Sequence, residues 1–125
     1  MTVYIDLQVC SKAENVDLDF LFHKQGEKHK LGDYSKTGVK LNYSQWNLSF
    51  NKMETHEVET VAKAFYKETK GIKRQLIEYI NKTKSEVMVY FVIQNYNNDY
   101  MHLGLSKESV KLFAELSASI EYDGV

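Results

Sequence analysis

Apolar and polar positions alternate through residues 3–9, so that Val3, Ile5, Leu7 and Val9 share one side of an extended chain. That period of two predicts a half-buried strand. Residues 44–50 repeat the pattern and put Trp46, Leu48 and Phe50 together on a second strand. Residues 86–94 are apolar at positions of both parities, the mark of an interior strand covered on both faces. Between these strands the spacing becomes helical. Val58, Val61, Ala62 and Phe65 recur at that spacing, with Thr55 placed to cap and Glu57 and Glu59 in the first turn. Gly71 interrupts, at a cost of about 1 kcal/mol inside a helix. Ile72, Leu76, Tyr79 and Ile80 then resume the spacing, giving two consecutive helices or one kinked at Gly71. Lys82 and Lys84 complement the dipole at its end.

The remaining segments read less directly. Residues 15–25 fit a strand through Val16, Leu18, Phe20 and Phe22, or a short helix capped by Asn15 and closed by Gly26. Periodicity does not choose between them. Residues 26–43 predict a long surface loop with a strand at 38–43, and a loop of that length is mobile or functional. Asn95-Tyr96-Asn97-Asn98-Asp99 is a turn by composition, with residues 100–105 as the returning strand of a hairpin. Ser106 caps a helix carrying Val110, Phe113, Ala114 and Leu116, and residues 118–123 form a last strand. The order β-α-β-α-α-β-β-α-β predicts one α+β domain over 1–125, a mainly antiparallel sheet with helices on one face.

Composition narrows the function classes. The 125 residues are 43% hydrophobic and 26% charged, enough for one core without staples. The single cysteine, Cys10, excludes a disulfide within this chain. No run approaches the roughly 18 apolar residues of a membrane span. Met1 to Asp6 lacks the basic and apolar regions of a secretion signal, so a cytoplasmic protein is expected and the sequons at Asn42, Asn47 and Asn81 read as chance. Arg74 is the sole arginine, and the formal charge is −1. Few guanidinium forks and a near-neutral balance argue against a nucleic-acid partner.

Several short motifs resemble an uncharacterised bacterial family, domain of unknown function 4279. They are the tryptophan strand Gln45-Trp46-Asn47-Leu48, the helix pair, the apolar strand Val87 to Ile93, and Leu103-Gly104-Leu105-Ser106-Lys107-Glu108 opening the last helix. Leu112 to Asp123, a helix running into an acidic strand, is similar to that family's ending. Leu18 to Gly26 looks like its short helix, and Lys30-Leu31-Gly32-Asp33 like its basic-glycine-acidic turn. The likeness departs where members carry a proline after that helix, because this chain has none. The resemblance implies helix within 15–25 and a ferredoxin-like sandwich with an insertion. It implies no catalytic residues. Some members resemble immunity proteins encoded beside secreted toxins.

Candidate chemistry is sparse. Thr60 stands where a zinc protease with His56-Glu57 needs its second histidine, and His23, His29 and His102 form no ligand spacing. Asp17 and Asp19 lack the rest of a calcium loop and read as a helix start. Cys10 has no histidine near in sequence, and phosphate-loop and nucleophile-elbow motifs are absent. No cofactor, metal or catalytic group is therefore expected, and the chain is read as a non-enzyme. Trp46, with Tyr43 and Phe50, reads as core. Tyr96 and Tyr100 flank Asn97, Asn98 and Asp99, the mixture of rigid aromatics and adaptable amides found at contact surfaces. With Glu121 and Asp123 they make the predicted partner-binding set, acidic Asp99, Glu121 and Asp123 steering a basic partner. The expected function is a protein-binding module, a bacterial immunity protein that neutralises a cognate toxin. The alternative is a non-catalytic sensing or regulatory module that forms a homodimer through a strand edge.

Overall fold

The computed structural model describes residues 1–97 and 100–124. Among these, five strands form one sheet in the order β2-β3-β1-β4-β5. The elements are β1 (Thr2–Ser11), α1 (Asp19–Phe22), β2 (Glu27–His29), β3 (Ser44–Glu54), α2 (Val58–Thr69), α3 (Lys73–Thr83), β4 (Glu86–Gln94), α4 (Lys107–Glu115) and β5 (Ala118–Gly124). β1 is the middle strand and runs antiparallel to β3 and β4, whereas β5 runs parallel to β4. The class is the expected α+β, with a mixed sheet.

β3 and β4 lie on either side of β1, so the passage through α2 and α3 is a split βαβ unit of the ferredoxin-like kind. The passage through α4 instead joins the direct neighbours β4 and β5. The interlocking second unit of a ferredoxin-like sandwich is absent among the described residues.

Alternation decides which side is covered. Val3, Ile5, Leu7 and Val9 are all buried and pair across with Phe50, Trp46, Val87, Val89, Phe91 and Ile93. Against them pack Val58, Val61, Ala62 and Phe65 of α2, Leu76 and Ile80 of α3, and Leu112 and Phe113 of α4. A bulge between Val3 and Ile5 places two β3 residues, Asn51 and Lys52, opposite Tyr4, with Asn51 at φ 47°. The extra residue lets Phe50 and Met53, three apart, both pack against the core. Seven rings cross that core in contact: Trp46, Phe22, Phe50, Phe65, Phe113, Phe91 and Tyr122, with successive centroids 5.1–6.1 Å apart. Trp46 and Phe50 are core residues, as the alternation implied.

Four local expectations are corrected. Residues 15–25 contain the implied helix, α1, as a single turn entered at Leu18, but it is closed by His23 in the left-handed region rather than by Gly26. Asn15 does not cap it; its side-chain oxygen accepts from Leu31 N at 3.0 Å, far along the next loop. Residues 38–43 form no strand. The 30–41 loop closes on itself through Gly32 N to Leu41 O and Leu41 N to Asp33 O, while the unforeseen β2 pairs with β3. Residues 100–105 do not return as a hairpin, because both edges of β4 are taken by β1 and β5. Instead His102 pairs with the start of α2, donating to His56 O at 2.8 Å and accepting from Val58 N at 3.1 Å.

The helix boundaries follow local chemistry. Gly71 separates α2 from α3, resolving the kinked-helix alternative. Thr55 accepts from Glu57 N but stands outside α2, whose N-cap is Glu57. Ser106 caps α4 as expected, its hydroxyl accepting from Ser109 N at 3.2 Å.

Candidate interaction surface

Among the described residues no helix packs on the second side of the sheet, and its side chains are read off the strand registers. One row across the strands is His29, Gln45, Cys10 and Glu86. The next is Glu27, Asn47, Gln8, Met88 and Ser119. Then come Ser49, Asp6, Tyr90 and Glu121, and finally Tyr4, Val92 and Asp123. Tyr4, Met88 and Tyr90 are half-buried and Val92 is buried, although no second layer of the described residues covers them. Neighbouring side chains on the pleat do the shielding. The result is an open face with a partly apolar middle and acids across four of its strands.

The charges on this face act on one another. Burial pushes the Asp6 carboxyl up from its ordinary value, and the nearby Glu27 charge adds to the shift. Burial likewise raises the Tyr90 phenol, helped by Glu121, Cys10, Asp6 and Asp123. The Cys10 thiol is raised by burial and by Glu86, and it lies 3.4 Å from Gln45 Oε1. A raised thiol is a weak nucleophile. Lys52 lies over the Tyr4 ring, 5.1 Å from its centroid, and Lys12 and Lys84 line a pocket with Glu86. The cations thus stand at the two ends of the face, and Asp6, Glu27 and Glu121 are the like charges between them. Like charges held together in this way are relieved by an incoming cation.

A second feature lies around the ends of β4 and β5. Ile93, Tyr96, Met101, Leu103, Tyr122 and Gly124 line a groove of about 420 Å³. Tyr122 donates its hydroxyl to Leu103 O at 3.0 Å, tying the 101–105 segment to β5. Tyr96, Leu103 and Tyr122 are exposed on its rim, and Tyr100 is 76% exposed close by in the chain.

The predicted partner-binding residues thus divide. Tyr96, Asn97 and Tyr100 are exposed near the groove, with Asn97 at φ 41°, while Glu121 and Asp123 point to the open face. Asn98 and Asp99 lie outside the described residues. Sequence reasoning missed Asp6, Glu27, Glu86, Tyr4 and Tyr90. For Tyr4 and Asp6 the signal was the polar parity of β1; Glu27 on β2 and Glu86 and Tyr90 on β4 become their neighbours only through the registers.

Asp19 opens α1, as the helix-start reading expected, and has a second role. Its carboxylate accepts from Trp46 Nε1 at 2.8 Å and Gly26 N at 2.9 Å, and pairs with Lys28. The Gly26 and Lys28 bonds, then Trp46, hold its pKa down to about 2. Among the described residues no group of three His, Cys, Asp or Glu side chains is placed to hold a metal ion, and no helix is long and apolar enough to cross a membrane.

These features define an α+β domain with one helix-covered and one open, acidic sheet face. The family model for domain of unknown function 4279 matches residues 22–124, and the chain belongs to that family. No curated protein and no solved structure matches it.

Proposed function

We propose that this protein is a cytoplasmic binding module that captures a basic protein partner on its open sheet face, as a bacterial immunity protein captures its cognate toxin. The observation that carries the reading is the acidic open face, with Asp6, Glu27, Glu86, Glu121 and Asp123 around half-buried Tyr4, Met88 and Tyr90. Aromatic and methionine side chains supply contact area, and acids of one sign steer and select a cationic surface. An isologous dimer through the same face would set these acids against their own copies, so the charge favours a different, basic chain over self-association.

The test is capture of a partner from the native cells, followed by kinetics with the purified pair. Replacing Glu27, Glu121 and Asp123 by lysine should leave the circular dichroism unchanged and slow association at least tenfold at low salt, with the difference shrinking as salt rises. The captured protein should also arrest a host cell unless this chain is co-expressed. Equal association rates for the two forms would overturn the use of this face. A harmless partner would remove the immunity role.

A further inference from the structure

β5 is the outermost strand of the sheet, and its seven residues are hydrogen-bonded to β4 on one side only. Among the described residues, no loop or side chain hydrogen-bonds to the backbone of its other edge. Natural edges are commonly blunted by proline, lysine or a bulge. Ala118–Gly124 contains neither residue, and its register with β4 runs without a shift. Its two charges are both acidic and lie on the open face, while Ile120 and Tyr122 take the helix side. At its end Tyr122 and Gly124 border the groove formed with Ile93, Met101 and Leu103.

We propose that β5 accepts an extended segment of the partner as a sixth strand, one in which basic residues alternate with apolar ones. The alternation follows from the pleat. Side chains of an added strand on the open side would stand beside Glu121 and Asp123 and need positive charge. Those on the other side would stand beside Ile120, Tyr122 and the groove and need to be apolar. Main-chain hydrogen bonds supply affinity in this mode and the alternating side chains supply specificity. A second copy of β5 does not meet the requirement, because antiparallel self-pairing centred on the strand puts Glu121 opposite Glu121 or Asp123. The inference rests on the acidic-face reading above, and adds the edge and the shape of the occupant.

The probe is a capped seven-residue peptide of alternating lysine and valine, titrated into isotope-labelled protein at low salt. The expected result is resonance shifts and slowed amide exchange within residues 118–124. N-methylation of every second peptide residue, made in both phases, should weaken binding about tenfold or more in at least one phase, because several hydrogen bonds are lost while every charge is kept. The glutamate-valine analogue should bind only the Glu121→Lys, Asp123→Lys variant, whose changes are on exposed side chains. Both methylated phases binding like the parent, with shifts centred on Asp6 and Tyr90, would overturn strand addition and leave the acidic face standing. No peptide binding anywhere on the sheet would overturn strand addition and weaken the face reading with it. A free protein already dimeric, with residues 118–124 protected, would assign the edge to a second copy.

Discussion

A single carboxylate ties the start of α1 to the nearby Gly26–Lys28 segment and to Trp46, 27 residues away. Asp19 at the start of α1 accepts from the buried Trp46 indole and from Gly26 N, and Lys28 neutralises it. Asp19→Asn should lower the melting temperature and alter the emission of the one tryptophan. Its pH dependence has a definite sign. The folded value of about 2 lies below the ordinary 3.8, so the contribution is complete above the ordinary value and is lost as pH falls through about 2. Urea denaturation between pH 5 and about 2, followed by tryptophan fluorescence, should show the wild-type advantage shrinking across that window. Gly26 is constrained by the same indole. A Cβ there would lie 2.5 Å from Trp46 Nε1 and 2.6 Å from Asn47 O, the latter backbone that cannot swing away. Gly26→Ala should therefore cost about 1–3 kcal/mol in the same assay. Asp6 has the opposite sign to Asp19: its raised value means its charge opposes folding above that value. Asp6→Asn should raise the melting temperature at neutral pH while weakening capture of a basic partner, the trade expected of a residue kept for binding.

At the scale of elements, α4 depends on a cap that reaches across the molecule. Glu59, in the first turn of α2, accepts from Ser106 N at 2.9 Å and from Ser109 Oγ at 3.2 Å. The acid expected to favour its own helix dipole thus serves the start of another helix, beside the Ser106 cap. Ser106→Ala should cost about 1 kcal/mol. Because both groups satisfy one helix terminus, Ser106→Ala and Glu59→Gln should be non-additive in a double-mutant cycle read by thermal melts. The caps and amphipathic spacings of α2 and α4 were legible in the sequence because they act within one or two turns. For α1 periodicity left helix and strand open and only the family resemblance implied the helix, since a single turn has little spacing of its own and packs through Phe22 stacked on Trp46. The 100–105 segment was misread for a related reason. Its composition suits a strand, and only the occupation of both β4 edges sends it to the start of α2 instead.

At the scale of the whole molecule, the aromatic chain from Trp46 to Tyr122 links the tryptophan strand to the β5 edge. Phe65 sits in the middle of it, fully buried between Phe50 and Phe113. Phe65→Ala should cost about 3–5 kcal/mol by urea titration, a loss that opens the joint between α2 and α4. The local pattern of this chain was sufficient to specify its long strands, its two long helices, the cap of α4 and the burial of Trp46 and Phe50. Each depends on residues close in sequence or on a simple period. Strand order, the parallel placement of β5 and the gathering of Asp6, Glu27, Glu86, Glu121 and Asp123 onto one face belong to the tertiary structure alone. Side-chain parity says which residues share a side of one strand, but only pairing between distant strands says whose acids become neighbours. Of the predicted site, Glu121 and Asp123 join that face through the outward parity of β5, and the exposed Tyr96 and Tyr100 do not, because they lie beyond the end of β4, near the groove.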